Sequence, residues 1–229
     1  RASAAAFRAR LMGNLLNKPL VAGRYELFEP LGSGGAGTVF RARVAATGEE
    51  VALKLVPSGD DTDASYGRLV DLAPRLGRVR TPHVVAPVDF GRDETGGLFV
   101  VSELVRGEPL DRELVTAEDM SPLDLARSLL AGLAAAHDAG CVHLDLKPAN
   151  VLVGSTETEL FILDFGVAPA TRRIEIDQAL GSSGRDGIVW GTPQWMAPEQ
   201  LGAGEPGPAS DVYAAALLLL DVLGAGPLF

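Results

Sequence analysis

The chain has 229 residues, 47% hydrophobic and 22% charged, a globular composition that excludes wholesale disorder and is long enough for one large domain or two lobes. Its 30 acidic against 20 basic residues give a formal charge of -10, which argues against a nucleic-acid surface, because such a surface needs clustered Lys and Arg to displace phosphate counterions. A single cysteine, Cys141, excludes an internal disulfide and fits a reducing compartment.

Residues 1–18 carry scattered Arg and Ala, compatible with a short helix, and lack the clean apolar run of a signal peptide. Strand character begins near residue 24. The runs 25–28, 38–44 and 50–56 alternate and contain β-branched residues, with Ala46-Thr-Gly48 as one turn, and predict an antiparallel meander. A polar stretch, 57–65, leads into a helix over 66–76, which Pro74 should shorten or bend. Strands are expected over 84–90 and 98–104, with a loop over 91–97 between them.

After Gly107 the period changes. Leu125, Leu129, Leu133 and Ala136 recur at helical spacing over 122–137, and Gly140 supplies a stop. The runs 151–153 and 160–163 bracket a turn and predict a small hairpin, and the Gly- and Ser-rich stretch 181–187 predicts a mobile loop. The most apolar stretch, 212–223, contains Tyr213 and Asp221 and is shorter than the ~20 residues of a membrane span, so a buried core helix is expected.

Five motifs carry chemistry. Leu31-Gly-Ser-Gly-Gly-Ala-Gly-Thr-Val39 has glycine where backbone N–H groups must close on phosphates without a side chain in the way. A flexible turn explains that stretch equally well by itself, but the β-rich sequence that follows favours a hairpin over a nucleotide rather than a strand-to-helix phosphate loop. Val51-Ala-Leu-Lys54 puts an amine on the next strand. His143-Leu-Asp-Leu-Lys-Pro-Ala-Asn150 places a carboxylate, an amine and an amide in one short loop: Asp145 can take a hydroxyl proton, Lys147 can stabilise a transferring phosphoryl group, and Asn150 can hold magnesium. Asp164-Phe-Gly166 offers carboxylate oxygen to a hard cation. Gly191-Thr-Pro-Gln-Trp-Met-Ala-Pro-Glu199 follows, and then Ser210-Asp-Val-Tyr213 opens the apolar helix.

In order and spacing these motifs resemble the eukaryotic-type protein kinase family, in particular its bacterial serine/threonine members, over residues 24–229. The resemblance implies an α+β, two-lobed kinase-like fold with ATP in the cleft. It divides the chain into an N-terminal extension (1–23), a small antiparallel β lobe with one helix (24–103), and a larger, mostly helical lobe (104–229) that ends near its central helix, short of helices that relatives possess. It also implies ATP and Mg2+ as ligands, protein substrates phosphorylated on Ser or Thr, no nucleic-acid partner, no membrane segment within the chain, and a cytoplasmic setting. Asp145 would be the catalytic base, assisted by Lys147 and Asn150, with Asn150 and Asp164 as metal ligands. The nucleotide would be held by Leu31, Gly32, Ser33, Gly34, Gly35, Ala36, Gly37, Val39, Ala52, Lys54, Ser102, Glu103, Val105, Leu152 and Asp164. Ser102 would guard the back of the adenine pocket, and Asp211 would anchor the catalytic-loop backbone. Lys147 with Thr192 matches the serine/threonine signature.

Three departures qualify the resemblance. The family's small-lobe helix carries a Glu that pairs with the strand lysine, yet no Glu occurs between Glu50 and Glu94, and Asp71 lies beside the matching position. That keeps a second expectation open, a nucleotide-binding pseudokinase acting as a scaffold or allosteric partner. Leu144 replaces the Arg that would meet an activation-loop phosphate, so phosphorylation there should matter less. Glu199 is expected to lack the Arg partner that later helices supply in relatives. Cys141 and Trp195 are read as packing residues.

Overall fold

A computed structural model of the chain describes residues 20–34, 37–56, 62–110, 120–156, 159–165, 167–168, 174–175, 188–189, 193–201 and 204–224. The short helix expected within 1–18 and the loop expected at 181–187 lie outside the described residues, as do Gly35, Ala36, Gly166 and Thr192. Contacts divide the chain into two units, residues 1–69 with 87–104 and residues 70–86 with 105–229.

The first unit is built on an antiparallel sheet of six strands: β1 (Leu20–Val21), β2 (Tyr25–Gly34), β3 (Gly37–Val44), β4 (Glu50–Val56), β5 (Pro87–Arg92) and β6 (Leu98–Glu103), in the order β1-β2-β3-β4-β6-β5. Side chains alternate between faces along each strand. Phe40, Leu53 and Val101 lie opposite one another in register, and with Leu55, Phe99, Tyr25 and Leu27 they form the unit's core. Val39, Lys54 and Val100 share the other face, as do Ala52 and Ser102 two residues along. The sheet curls until strands from opposite ends of its order meet. The Tyr25 hydroxyl donates to Asp89 on β5, Arg24 Nη1 lies 2.8 Å from the same carboxylate, and Gly23 N–H donates to Glu94 at 3.2 Å. Burial, followed by the Asp89 hydrogen bond, pushes the Tyr25 phenol up to about 12.

Gly37 closes the β2–β3 hairpin opposite Gly34 at φ 124°, and a Cβ built there would sit 2.1 Å from the Leu55 carbonyl oxygen. Both the backbone angle and the approach of β4 therefore demand glycine. Gly37→Ala is expected to lower stability by about 2 kcal/mol; a thermal midpoint equal to wild type would refute this.

Helix α1 (Thr62–Leu76) starts four residues earlier than the sequence pattern suggests. The polar residues ahead of Tyr66 are its first turn: Asp63 sits near the positive end of the helix dipole and pairs with Arg92, whose guanidinium lies 5.0 Å from the Tyr66 ring centroid. Pro74 does not end the helix, which continues to Leu76 before Gly77 N–H bonds back to Ala73 O at 2.9 Å.

The strand expected over 84–90 is a second correction. The strand runs Pro87–Arg92, beginning at a proline that has no N–H to give to a ladder. Val84 instead bridges Ile162 in parallel, with Val85 N–H donating to Ile162 O at 3.0 Å and Ile162 N–H to His83 O at 2.7 Å. Gly91 and Arg92, expected in the loop, belong to the strand. The turn that follows is set by Asp93, whose Oδ1 accepts from Thr95 N–H and Gly97 N–H, each at 2.8 Å.

In the second unit, α2 (Pro122–Asp138) is capped by Ser121, whose hydroxyl accepts from Asp124 N–H at 3.1 Å, and Gly140 follows its end at φ 74°. It buries Leu125, Leu129, Leu133 and Ala136, the stripe its sequence predicts. A three-stranded sheet of β7 (Glu108–Pro109), β8 (Val151–Val153) and β9 (Leu160–Ile162) packs close to α2, because Gly132 leaves no Cβ to meet Ile162 Cδ1, which would be 2.8 Å away. Helix α3 (Pro208–Val222) buries Asp211, Ala214, Ala215, Leu218 and Val222. These faces, with Cys141 and Phe165, make the second core, against which Trp195 packs. A short ribbon, β10 (Ile174–Glu175) with β11 (Ile188–Val189), has no counterpart in the sequence reading. Among the described residues no helix is long and apolar enough to cross a membrane.

Candidate active site

In the first unit, Leu31, Gly32, Ser33, Gly34, Gly37 and Val39 lie on the β2–β3 hairpin, with Leu31, Gly32 and Ser33 exposed. Val39, Ala52, Lys54 and Ser102 gather on the sheet face opposite the core. Lys54 is 8% exposed, and an ammonium is buried only where other groups repay its lost hydration. Ser102 pairs in register with Ala52 and Pro87, and Glu103 ends β6, exposed. In the second unit Val105 is half-buried. Leu152 points away from the core that takes Val151 and Val153 on either side of it. Asp71 is exposed on α1.

The second unit brings Asp145, Lys147 and Asn150 together. Lys147 Nζ lies 2.8 Å from Asp145 Oδ2, and Asn150 Nδ2 donates to the Asp145 carbonyl at 2.8 Å. Because its nitrogen is spent on that carbonyl, the Asn150 amide presents its oxygen elsewhere, as a cation ligand must. The loop is shaped by main-chain bonds that the sequence alone does not announce. Asp145 N–H donates to His143 Nδ1 at 3.1 Å, so that nitrogen is the acceptor and Nε2–H donates to Leu163 O at 2.8 Å. The His143 ring, fully buried, stands edge-on to Phe165 with centroids 5.1 Å apart.

Asp211 occupies the place the resemblance gives it. Its Oδ2 accepts from His143 N–H and its Oδ1 from Leu144 N–H, both at 2.8 Å, and it is 1% exposed. Leu144 sits at φ 60°, a left-handed conformation in which an L side chain is strained. Two residues at this place have no signal in the sequence reading. His137 Nε2 lies 2.8 Å from Asp211 Oδ2, and Gln200 Nε2 donates to the Leu144 carbonyl at 3.0 Å. His137 falls at the end of a helix read only for its apolar stripe, and Gln200 follows the Ala-Pro-Glu triplet without belonging to it. Glu199 does have a partner: the Ser210 hydroxyl donates to it at 2.6 Å, and that bond, with one from its own N–H, holds its carboxyl below the usual range. Among the described residues, every buried side-chain nitrogen and oxygen has a hydrogen-bond partner.

Asp164 follows β9 at φ 59°, turned out of the strand, with its carbonyl accepting from Val167 N–H at 3.1 Å. Leu163 N–H donates to Asn150 O at 2.8 Å, which ties the segment carrying Asp164 to the one carrying Asn150. The donors on offer are one carboxylate and one amide oxygen. That set suits a magnesium ion, which takes few protein ligands and completes its shell with phosphate and water. Among the described residues no group of three or more His, Cys, Asp and Glu could hold a metal by itself.

Residues 25–229 match the family model described as protein kinase domain. The chain is 34% identical over 213 residues to serine/threonine-protein kinase pkn3 of Myxococcus xanthus, covering 89% of this chain and 38% of that protein. It is 37% identical over 218 residues to the DNA damage-responsive serine/threonine-protein kinase RqkA of Deinococcus radiodurans, covering 92% of this chain and 31% of that protein. It thus spans well under half the length of either relative. The fold is similar to a crystal structure of the Mycobacterium tuberculosis PknI kinase domain, with a TM-score of 0.67 at 21% identity, over 93% of this chain and 78% of that one. The chain belongs to the protein kinase family and is similar to its bacterial serine/threonine members.

Proposed function

We propose that the chain transfers the γ-phosphoryl group of ATP to a Ser or Thr hydroxyl of a protein substrate. The observation that carries this reading is the loop holding Asp145 2.8 Å from Lys147, with Asn150 bonded to the Asp145 carbonyl. The substrate oxygen forms a bond to the γ-phosphorus, the bond from that phosphorus to the β–γ bridging oxygen breaks, and ADP leaves. The hydroxyl proton passes to the Asp145 carboxylate. Lys147 places positive charge beside the transferring group, where negative charge is redistributed. Lys54 and the N–H groups of the hairpin through Gly32, Gly34 and Gly37 bind the phosphates. The resemblance assigns contacts with the base to Leu31, Val39, Ala52, Ser102 and the Glu103 backbone in the first unit, and to Leu152 and the Val105 backbone in the second. Magnesium, when bound, neutralises phosphate charge, and Asn150 and Asp164 are the residues that would hold it. Need for ATP and the buried free thiol of Cys141, pushed up by burial, fit a cytoplasmic setting.

One observation favours a second reading, a nucleotide-binding scaffold without catalysis: α1 carries no glutamate, and its Asp71 is exposed. Incubation with labelled ATP, magnesium and a protein acceptor, beside Asp145→Asn, separates the two. The kinase reading expects label on Ser or Thr in wild type alone. ATP binding without transfer by wild type would replace it with the scaffold. Asp164→Ala is expected to abolish the magnesium-dependent part of the thermal shift produced by ATP. Equal shifts in variant and wild type would remove Asp164 from the metal site.

A further inference from the structure

We propose that Gln200 is a positioning residue for the catalytic base, holding the Leu144–Asp145 peptide plane in the orientation that presents Asp145; the proposal rests on the kinase reading above. Leu144, at φ 60°, occupies a conformation that a non-glycine residue keeps only when its surroundings hold it there. Both peptide planes around it are gripped. The plane before it gives its N–H to Asp211 Oδ1 at 2.8 Å. The plane after it has the Leu144 carbonyl at one end and the Asp145 N–H at the other. Gln200 Nε2 donates to the first at 3.0 Å and His143 Nδ1 accepts from the second at 3.1 Å. Turning that plane would swing Asp145 off its backbone position, and these two side chains grip its ends.

Gln200 is itself fixed. It is 3% exposed, and its Oε1 accepts from Ala197 N–H at 3.0 Å. The next residue back, Glu199, is bonded to Ser210 at the start of α3. The plane adjoins a crevice lined by residues that include Leu144, Asp145, Trp195, Met196, Gln200 and Asp211.

Gln200→Glu isolates the donor: it keeps the size of the side chain and the acceptor for Ala197, and replaces the N–H facing the Leu144 carbonyl with an oxygen. Gln200→Met removes the bond without adding charge. For both variants the expected result is a fall in kcat of at least about tenfold with KM for ATP within about twofold of wild type. A kcat within about twofold of wild type in either variant overturns the proposal, as does a loss that falls on KM for ATP. If both variants fail to fold, Gln200 is a stability residue and the proposal is equally overturned. Should wild type transfer no phosphate, the kinase reading fails separately, and amide hydrogen exchange decides for Gln200. The peptide spanning 142–147 is then expected to exchange at least about tenfold faster in Gln200→Glu while α2 and α3 keep wild-type rates. Unchanged exchange in that peptide overturns the proposal.

Discussion

Asp211→Ala is expected to destabilise the second unit by about 3–5 kcal/mol. The carboxylate is 1% exposed and accepts from His143 N–H and Leu144 N–H, with His137 Nε2 against it at 2.8 Å. Alanine leaves two backbone donors without an acceptor in a buried place, and each stranded donor costs about 1–3 kcal/mol. Relief of the strain at Leu144 offsets part of that cost, because a residue at φ 60° can return to ordinary backbone angles once its N–H is released. Asp211→Asn keeps one acceptor oxygen, so about half the cost is expected. Against a typical domain stability of about 5–15 kcal/mol, the alanine variant loses about a fifth or more. Urea unfolding followed by tryptophan fluorescence measures it, since Trp195 packs on the same core as α3. A loss below about 1 kcal/mol would mean that Asp211 is not what holds the loop.

The sequence was most legible where chemistry and structure are local. Asp145, Lys147 and Asn150 fall within six residues, so one loop had to carry them, and the structure bonds them to one another. The alternation along β3, β4 and β6 separates core residues such as Phe40 and Leu53 from Lys54 and Ala52, and the pairing register confirms the same division. Helix α2 reads as well, because a stripe of Leu at helical spacing and a closing Gly agree, and the structure adds Ser121 as its cap.

What escaped was set by distant partners. Gln200 meets the Leu144 carbonyl across 56 positions and His137 meets Asp211 across 74, and neither pairing leaves a periodic trace. The run 84–90 has strand composition throughout. Its first residues nevertheless pair with Ile162 in one unit while Pro87 begins a strand in the other, because composition says that a segment will be extended but not which edge it joins. Glu199 was assigned a missing arginine by analogy with relatives. Ser210, standing in full view beside Asp211 in the sequence, supplies a neutral donor instead.

Asp145→Asn is expected to lower kcat by about 10^3, within the 10^2 to 10^4 that a positioned general base contributes. The loss should be confined to chemistry, because asparagine has the shape of aspartate and two of the bonds that fix this residue run through its backbone. Its N–H goes to His143 Nδ1 at 3.1 Å, and its carbonyl accepts from Asn150 at 2.8 Å. The amide oxygen can still face Lys147 Nζ, now 2.8 Å from the carboxylate, but it carries no charge to balance the ammonium. Removing the carboxylate's negative charge favours a bound phosphate, so ATP affinity is expected to stay level or rise while the hydroxyl proton loses its acceptor. A thousandfold loss corresponds to about 4 kcal/mol of barrier, large enough to read in single-turnover transfer of labelled phosphate. The pattern sought is a slow burst at unchanged or lower KM for ATP, with a thermal midpoint close to wild type. A kcat within about tenfold of wild type would leave at most about 1.4 kcal/mol for Asp145 and assign the proton to another group.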